Sequence, residues 1–580
     1  MRPSTGGLGG RKSGSEGYER WEFWWEHNKD PFLDLKARLG KGLVTSGTGG
    51  FLTGRTKQND AVSSNRPTPS DVKNKLIPAF IEALGETDPE SRDVVDSAAL
   101  AIGRTLLFSD AAAVLPALTT ALGHSQKTVR EAATLAMGVL GSVDAEATLL
   151  EILKDTQKGR SLTGKSAEVE DLVRAFAAAS LGLIGDPKAI EDLKSTINDP
   201  NLSSKTGVRS MAILALGMIS KEGHADIVKF LLGLMEDRSL ASIVRAQAPI
   251  ALGRLNRQNE AGSPEARQVL GTNVVPLFED DKSDNDLRRS LAICIGMLAT
   301  VEDAKALEAL MGAVAKSNDD QMRHFSIMAL AEIGARDADP SKHPEVHAKI
   351  REFFLRELTQ PKHLTHQPFG ALGLAVYSRN ERLPSEVKEQ VATKLLEQFN
   401  GTSNPSYQGA MAIGLGLLDY KVASDDLWKR FEDSNDQPLR GYIAISLGLM
   451  RITPRSETLR TLVSKKGLDP KFRLQLARSL GLMGDVQAVS TLIDYLQTAD
   501  TLTESSSAAQ ALGLIGDKSA VDPLLAILRN KSKKGIQRGF AAVALGIIAE
   551  KTPLPWNAVF SVDSNYRAKV EALSEIFDIL

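Results

Sequence analysis

A single cysteine, Cys294, serves all 580 residues, and aromatic residues make up only 5% of the chain. One cysteine excludes an intrachain disulfide and a cysteine-based metal site. It lies in the apolar run SLAICIGML and reads as a small buried hydrophobe rather than a reactive thiol. The scarcity of aromatics disfavours a protein that stacks nucleic-acid bases. A formal net charge of −2 lacks the basic excess of a dedicated nucleic-acid binder. No apolar run reaches the roughly 18 residues that a membrane span needs. The opening residues, MRPSTGGLGGRKSGSEG, hold no apolar segment that would make a signal peptide, so a cytoplasmic protein is the expectation. No stretch reads as a strand, no GxSxG follows one, and the GLGL segments lack the Lys-Ser/Thr of a phosphate loop.

What the chain does have is a repeat. A Leu-Gly or Ile-Gly step recurs at Gly103, Gly138, Gly182, Gly217, Gly253, Gly296, Gly373, Gly416, Gly448, Gly481, Gly513 and Gly546, with Ala331 in the same place in MALAEIG. The thirteen positions lie 32 to 44 residues apart. A period in this range marks a solenoid. In AAQALGLIGDKSAVDPLLAILR, Ala508 to Arg529, the unit reads as helix, Gly-Asp turn, helix. The mid-helix Gly513 costs about 1 kcal/mol against Ala, so its recurrence implies close approach of a neighbouring helix. Gly516 suits the left-handed residue that ends a helix. Asp517 is placed to cap the next one. Neither helix can bury its apolar stripe alone, and stacked units make one continuous core. The expectation is an all-α fold, an α-solenoid superhelix of about thirteen helix-turn-helix units. At 8–10 Å per helix it would be on the order of 110–130 Å long.

ALGLIGDKSAVDPLLAILR, SLGLIGDPKAIEDLKSTI and SLGLMGDVQAVSTLIDYL resemble HEAT repeats of the bilin-lyase-like subclass, over most of the chain. The segments IGLGLLD and SLGLM, at Ile413 and Ser446, are similar to proteasome/cyclosome repeats, built the same way. The resemblance implies a fold rather than one activity, since the family holds phycobilin lyases, a DNA glycosylase group and many adaptors.

Three further features carry expectations. The first is YERWEFWWEHNKDPFLDLKARL, residues 18–39, with Trp21, Trp24 and Trp25. It reads as a helix, ended or kinked at Pro31, within an otherwise disordered arm of residues 1–70. It serves either as a cap on the first unit, because terminal units must shield the open core, or as an aromatic anchor for a partner. Residues 71–552 form the repeat array. Residues 553–580 form a C-terminal cap with a helix from about Asn565, capped by Asp563 or Ser564.

The second feature is a ladder. Arg130, Arg174, Arg209, Arg245, Arg288, Arg323, Arg440, Arg473 and Arg538 each stand eight residues before the repeating glycine or alanine. Such a ladder resembles the Asp/Arg ladder of HEAT repeats, and Asp155, Asp199, Asp237, Asp280, Asp319 and Asp469 are candidate partners. The structural reading is a fork bridging an acid or backbone carbonyls of the next unit; the other is an anion-binding stripe. The ladder breaks at Val95, Thr365, Gln408 and Ser505.

The third feature is the irregular middle. Extra residues enter the turns at about 256–263, 335–343 and 377–384, a rim that could grip a partner. His324, His343, His347, His363 and His366 cluster there, and a metal site needs three or four ligands in one place. HPEVH is not HExxH, and its proline puts His343 before the helix. A short basic loop, Arg529 to Lys534, could touch phosphate. The reading is therefore a non-enzymatic scaffold without cofactor or metal, binding a protein or peptide near the middle units. Trp21, Trp24, Trp25, His343, His347, His363 and His366 are its candidate contacts. Nucleic acid is disfavoured as a partner. The alternatives are a bilin lyase or isomerase and a nucleic-acid-binding HEAT protein.

Overall fold

The computed structural model describes residues 17–35, 66–88, 91–105, 111–219, 224–257, 262–485, 487–499, 501–550 and 552–579. Most of the arm read as disordered, residues 1–16 and 36–65, lies outside the described residues. Every described element is helical or irregular.

Each unit has two helices, and the one bearing the repeating glycine is the inner one. The thirteen inner helices are Arg92–Gly103, Lys127–Leu140, Asp171–Ile184, Thr206–Leu216, Gln247–Arg257, Asn285–Leu298, Asp320–Arg336, His366–Tyr377, Pro405–Leu417, Gln437–Leu449, Pro470–Met483, Leu502–Ile515 and Gly535–Ala549. We number the units 1 to 13 in this order. Each inner helix packs on the inner helix of the next unit, and the thirteenth packs on the first. The array is a closed ring. The repeat itself leaves open whether the two ends of the superhelix meet, and the packing of the thirteenth helix on the first shows that they do.

The glycines explain how neighbouring helices come so close. A Cβ on Gly138 would stand 2.3 Å from the Ser180 Cα, and one on Gly217 would stand 2.5 Å from the Ala251 Cα. Gly182, Gly416 and Gly448 face Ala215, Ser446 and Ser479 in the same way. In these contacts the facing residue lies two before the repeating position of the next unit, whereas Gly253, Gly373, Gly481 and Gly513 meet Met297, Phe354, Leu35 and Ile547. The position two before the repeating residue is small in every unit: Ala101, Ala136, Ser180, Ala215, Ala251, Cys294, Ala329, Ala371, Gly414, Ser446, Ser479, Ala511 and Ala544. The cysteine is one of this set, fully buried. Two of the serines add a bond between helices: Ser180 donates to the Thr134 carbonyl at 2.9 Å, and Ser479 to that of Ala444 at 2.5 Å.

The seam between units 13 and 1 repeats this contact. A Cβ on Gly546 would meet the Ala101 Cα at 2.9 Å. The Arg538 fork binds both carboxylate oxygens of Glu86, with Nη1 at 2.9 Å. Lys75 pairs with Asp522 at 3.1 Å on the surface. The outer helices of the two units, Ile77–Leu84 and Val521–Arg529, also touch.

Turn chemistry follows the sequence. Gly141, Gly185, Gly484 and Gly516 end inner helices at φ of +69° to +75°. Where the glycine is missing, Asp419 and Arg451 take up φ of +52° and +55°. The Asp517 and Asp186 carboxylates accept from the Ser519 and Lys188 amides and start the next short turn. The polar stretch after the outer helix Glu146–Leu153 is partly helical: Gln157–Leu162 forms a short helix because the Thr156 hydroxyl caps the Gly159 amide.

Candidate functional site

Three places bring the singled-out residues together: the hole of the ring, the rim of its middle units and the ladder.

The hole is filled by the chain's own ends. The helix Trp21–Leu33 runs through Pro31 without stopping there. Trp21, Trp24 and Trp25 are 1%, 3% and 0% exposed, so they offer no surface to an external partner. Nor do they cap the first unit. The Trp21 indole donates to the Ser406 carbonyl at 3.0 Å and its hydroxyl at 2.9 Å, and its ring lies 4.6 Å from that of Tyr442. Both contacts are on the inner helices of units 9 and 10. Arg379, after unit 8, sits over the Phe32 ring at 5.1 Å.

The C-terminal segment covers the opposite side of the hole. Arg254 of unit 5 donates to the Phe560 carbonyl at 3.0 Å, and Gln247 to that of Ala568 at 2.7 Å. Asn565 donates to Ser290 of unit 6 at 2.9 Å, and Gln321 of unit 7 to the Tyr566 hydroxyl at 2.7 Å. Asn565 turns the chain by accepting from the Arg567 and Ala568 amides, so the last helix begins at Glu571 rather than near Asn565. The two ends meet in the middle. The Asp563 amide donates to Asn28 at 2.9 Å, and His27 stacks on Tyr566 at 4.8 Å.

The rim is built from the extra turn residues that follow the inner helices of units 5, 7 and 8; residues 258–261 of the unit 5 insertion lie outside the described residues. Arg267 pairs with Glu302, and His343 stands 3.7 Å from the same carboxylate. His343 precedes the helix Pro344–Thr359. His347 is buried, with Nε2 at 2.7 Å from Asp337 and Nδ1 at 3.1 Å from the Tyr377 hydroxyl. Burial pushes the Tyr377 phenol up to about 12. Asn380 of the third insertion donates to the Asp337 carbonyl at 2.9 Å, and Arg382 donates to that of Ala338. The two insertions thus hold each other, leaving Arg267, Glu302, Lys342 and Arg382 on the outside.

His363 and His366 lie on the other edge of unit 8, beside Glu357 and His324. The sequence cluster of histidines is therefore two separate groups. Among the described residues, no set of three His, Cys, Asp or Glu side chains is arranged to hold a metal ion.

The ladder arginines bind the outer helix before them. Arg174 Nε donates to the Leu153 carbonyl at 2.9 Å, Arg209 to Ile197 at 2.7 Å, and Arg288 to Phe278 at 3.0 Å. Arg473 donates to Val463 at 3.0 Å and Arg538 to Leu528 at 2.7 Å. Arg245 donates to Met235, Arg323 to Ser317, and Arg130 to His124 and Ser125. These carbonyls lie at or just past the C-terminal ends of the helices, where a cation offsets the helix dipole. Three of them take an acidic partner from the next unit, Glu170 for Arg130, Asp284 for Arg245 and Glu86 for Arg538, while Arg288 and Arg323 pair with Asp281 and Asp320 beside them. The aspartates expected as partners do other work. Asp319 and Asp469 cap the Met322 and Phe472 amides. Arg440 lies between the Phe431 and Phe472 rings, at 4.5 and 5.3 Å. At one break Gln408 does the arginine's job, donating to the Phe399 and Thr402 carbonyls at 3.2 and 2.9 Å.

Residues 74–163 and 456–546 match the family model described as HEAT repeats, and residues 173–199 match the PBS lyase HEAT-like repeat. The units are HEAT-like repeats. No curated protein matches the chain. Among solved structures, Kap121p bound to Nup53p is similar at 14% identity and TM-score 0.38, over 82% of this chain and 57% of that one. The Escherichia coli protein YibA is similar at 18% and 0.31, over 53% and 97%. Human deoxyhypusine hydroxylase is similar at 19% and 0.22, over 53% and 98%. None of these likenesses carries an activity over to this HEAT-repeat chain. Among the described residues no helix is long and apolar enough to cross a membrane.

Proposed function

We propose that this HEAT-repeat ring is a non-enzymatic scaffold that binds a protein or peptide on the rim of units 5 to 8. The observation that carries the reading is the filled hole. Inner helices are buried on both sides, by outer helices and by the chain's own ends, so a partner meets the edges and the outside. The rim is where the repeat is least regular, and its exposed Arg267, Glu302, Lys342 and Arg382 present charges of both signs. Such a surface suits a polar partner patch, with charge setting orientation and on-rate more than affinity. A bilin lyase would need a reactive group in a pocket. The chain's thiol is buried and pushed far above its ordinary range, which supports the scaffold reading.

The test is a photo-crosslinking residue placed at Lys342 or Arg382 in the native host, with Glu389 on an outer helix as reference. One discrete cross-linked protein at the rim positions alone supports the reading. Equal cross-linking at Glu389, or none at the rim, refutes it. Addition of bilin should leave the visible spectrum unshifted, and a shift would favour the enzyme.

A further inference from the structure

Units 7 and 8 meet where Thr365 interrupts the ladder. Behind that break lies a dry pair of histidines. His324, on the inner helix of unit 7, is 0% exposed and stacks on Phe369 with centroids 4.0 Å apart and planes at 11°. Neither of its ring nitrogens has a hydrogen-bond partner. His366 opens the inner helix of unit 8 and is equally buried. Its Nδ1 is 2.9 Å from the Glu357 carboxylate, and its Nε2 has no partner. The His324 and His366 rings are 5.8 Å apart, and the partly exposed His363 is 5.1 Å from His366.

The charges around His324 leave no place for another proton. Arg323, next to it, is paired with Asp320 at 2.7 Å. Glu357, on the outer helix of unit 8, is taken by His366 and by Arg356 at 3.4 Å. Lys362 and His363 stand on the loop between the helices of unit 8. The groups that act on His324 are His366 and Arg323, both opposing a charge on it; neither the inner helix of unit 6 nor the outer helix of unit 7 supplies one. A buried imidazolium without an acid partner is strongly disfavoured.

We propose that the joint between units 7 and 8 is a proton-sensitive hinge: uptake of a proton by His324 in mildly acidic solution loosens the helix Asp320–Arg336 against His366–Tyr377 while the rest of the ring stays closed. Burial holds the His324 ionisation well below its ordinary value. The sign follows. Above the ordinary histidine range of about 6.5 the joint is neutral and closed. Below it the opened form takes the proton first, so closure weakens as pH falls, by up to about tenfold in the opening equilibrium per pH unit.

The test is amide hydrogen exchange of the full chain at pH 7.5 and 5.5, corrected for intrinsic rates and read by mass spectrometry. Peptides covering 320–336 and 366–377 should gain roughly tenfold in exchange at the lower pH. Peptides covering 92–103 and 535–549 should not. His324→Phe should abolish the gain at the joint. His27, also lowered by burial, stacks on Tyr566, which touches Gln321 and Phe325 of the helix 320–336; the peptide covering 366–377 and the His324→Phe variant separate its effect from that of His324. The same acid gain in His324→Phe, or none in the native chain, overturns the proposal. Should His324→Phe not fold, C2 hydrogen exchange of the imidazole in the native chain decides: titration of His324 near about 6.5 overturns it, and titration well below supports it.

Discussion

Gly138→Ala and Gly312→Ala are the same chemical change with opposite expected signs. Both glycines are inside helices, Lys127–Leu140 and Ala304–Lys316. Replacing a helical glycine by alanine gains about 1 kcal/mol of helix propensity. At Gly312 nothing lies within 4 Å of the added Cβ, so that gain should be kept. At Gly138 the Cβ would lie 2.3 Å from the Ser180 Cα and 2.4 Å from its Cβ. Carbon atoms rest at roughly 3.5–4.0 Å, so the inner helices of units 2 and 3 must part by more than an ångström. The Ser180 to Thr134 bond lies beside the same contact. Overpacking of this kind costs about 1–3 kcal/mol, which outweighs the propensity gain. The assay is the denaturant midpoint of each variant against the native chain. Gly138→Ala should fall and Gly312→Ala should hold or rise. Two variants moving together, or a stable Gly138→Ala, would refute the claim that the glycines are there for helix contact.

Trp25→Ala should cost about 3–5 kcal/mol, the range for emptying a large buried aromatic site, read as a loss of thermal stability; an unchanged midpoint would mean that the hole is not a core. Arg538→Met should destabilise the chain by about 3 kcal/mol by leaving a half-desolvated Glu86 without its partner, and exchange should rise first in 92–103 and 535–549. Arg538 holds the Glu86 carboxyl below its ordinary value. The sign for a lowered acid is that its contribution is present above about pH 4.5 and is lost as pH falls through the native value. Glu86→Gln should remove that part of the acid sensitivity, which a pH series of midpoints checks.

The unit was legible because its signals are local. Gly516, Asp517 and the stripe Val521, Leu524, Leu525 and Leu528 act within one turn or one helix, and the structure uses them as their chemistry requires. The ring was not legible. Closure depends on a small rotation per unit summed thirteen times, and no residue encodes that sum. The seam adds no new chemistry, since Gly546 on Ala101 is the contact of Gly138 on Ser180. A signal did exist in the small residue two before each repeating position. The destination of the tryptophans was hidden for the same reason. A terminal apolar helix announces that it docks, but its place against units 8 to 11 exists only once the ring has closed. The ladder was visible as spacing, and its partners needed the fold, because Leu153 or Phe278 contributes a carbonyl that any residue could supply. The histidine cluster divided because a helix of unit 8 separates His347 from His366.

Closure of the ring is measured most directly by a pair of spin labels at Lys75 and Asp522, which face each other across the seam at 3.1 Å and are 46% and 74% exposed. Cys294 is buried and leaves both labels unambiguous. The closed ring predicts one narrow distance at the short end of the range that pulsed dipolar spectroscopy reads, unchanged on dilution. An open array of stacked units would place the labels on the order of 100 Å apart, and that result would contradict it.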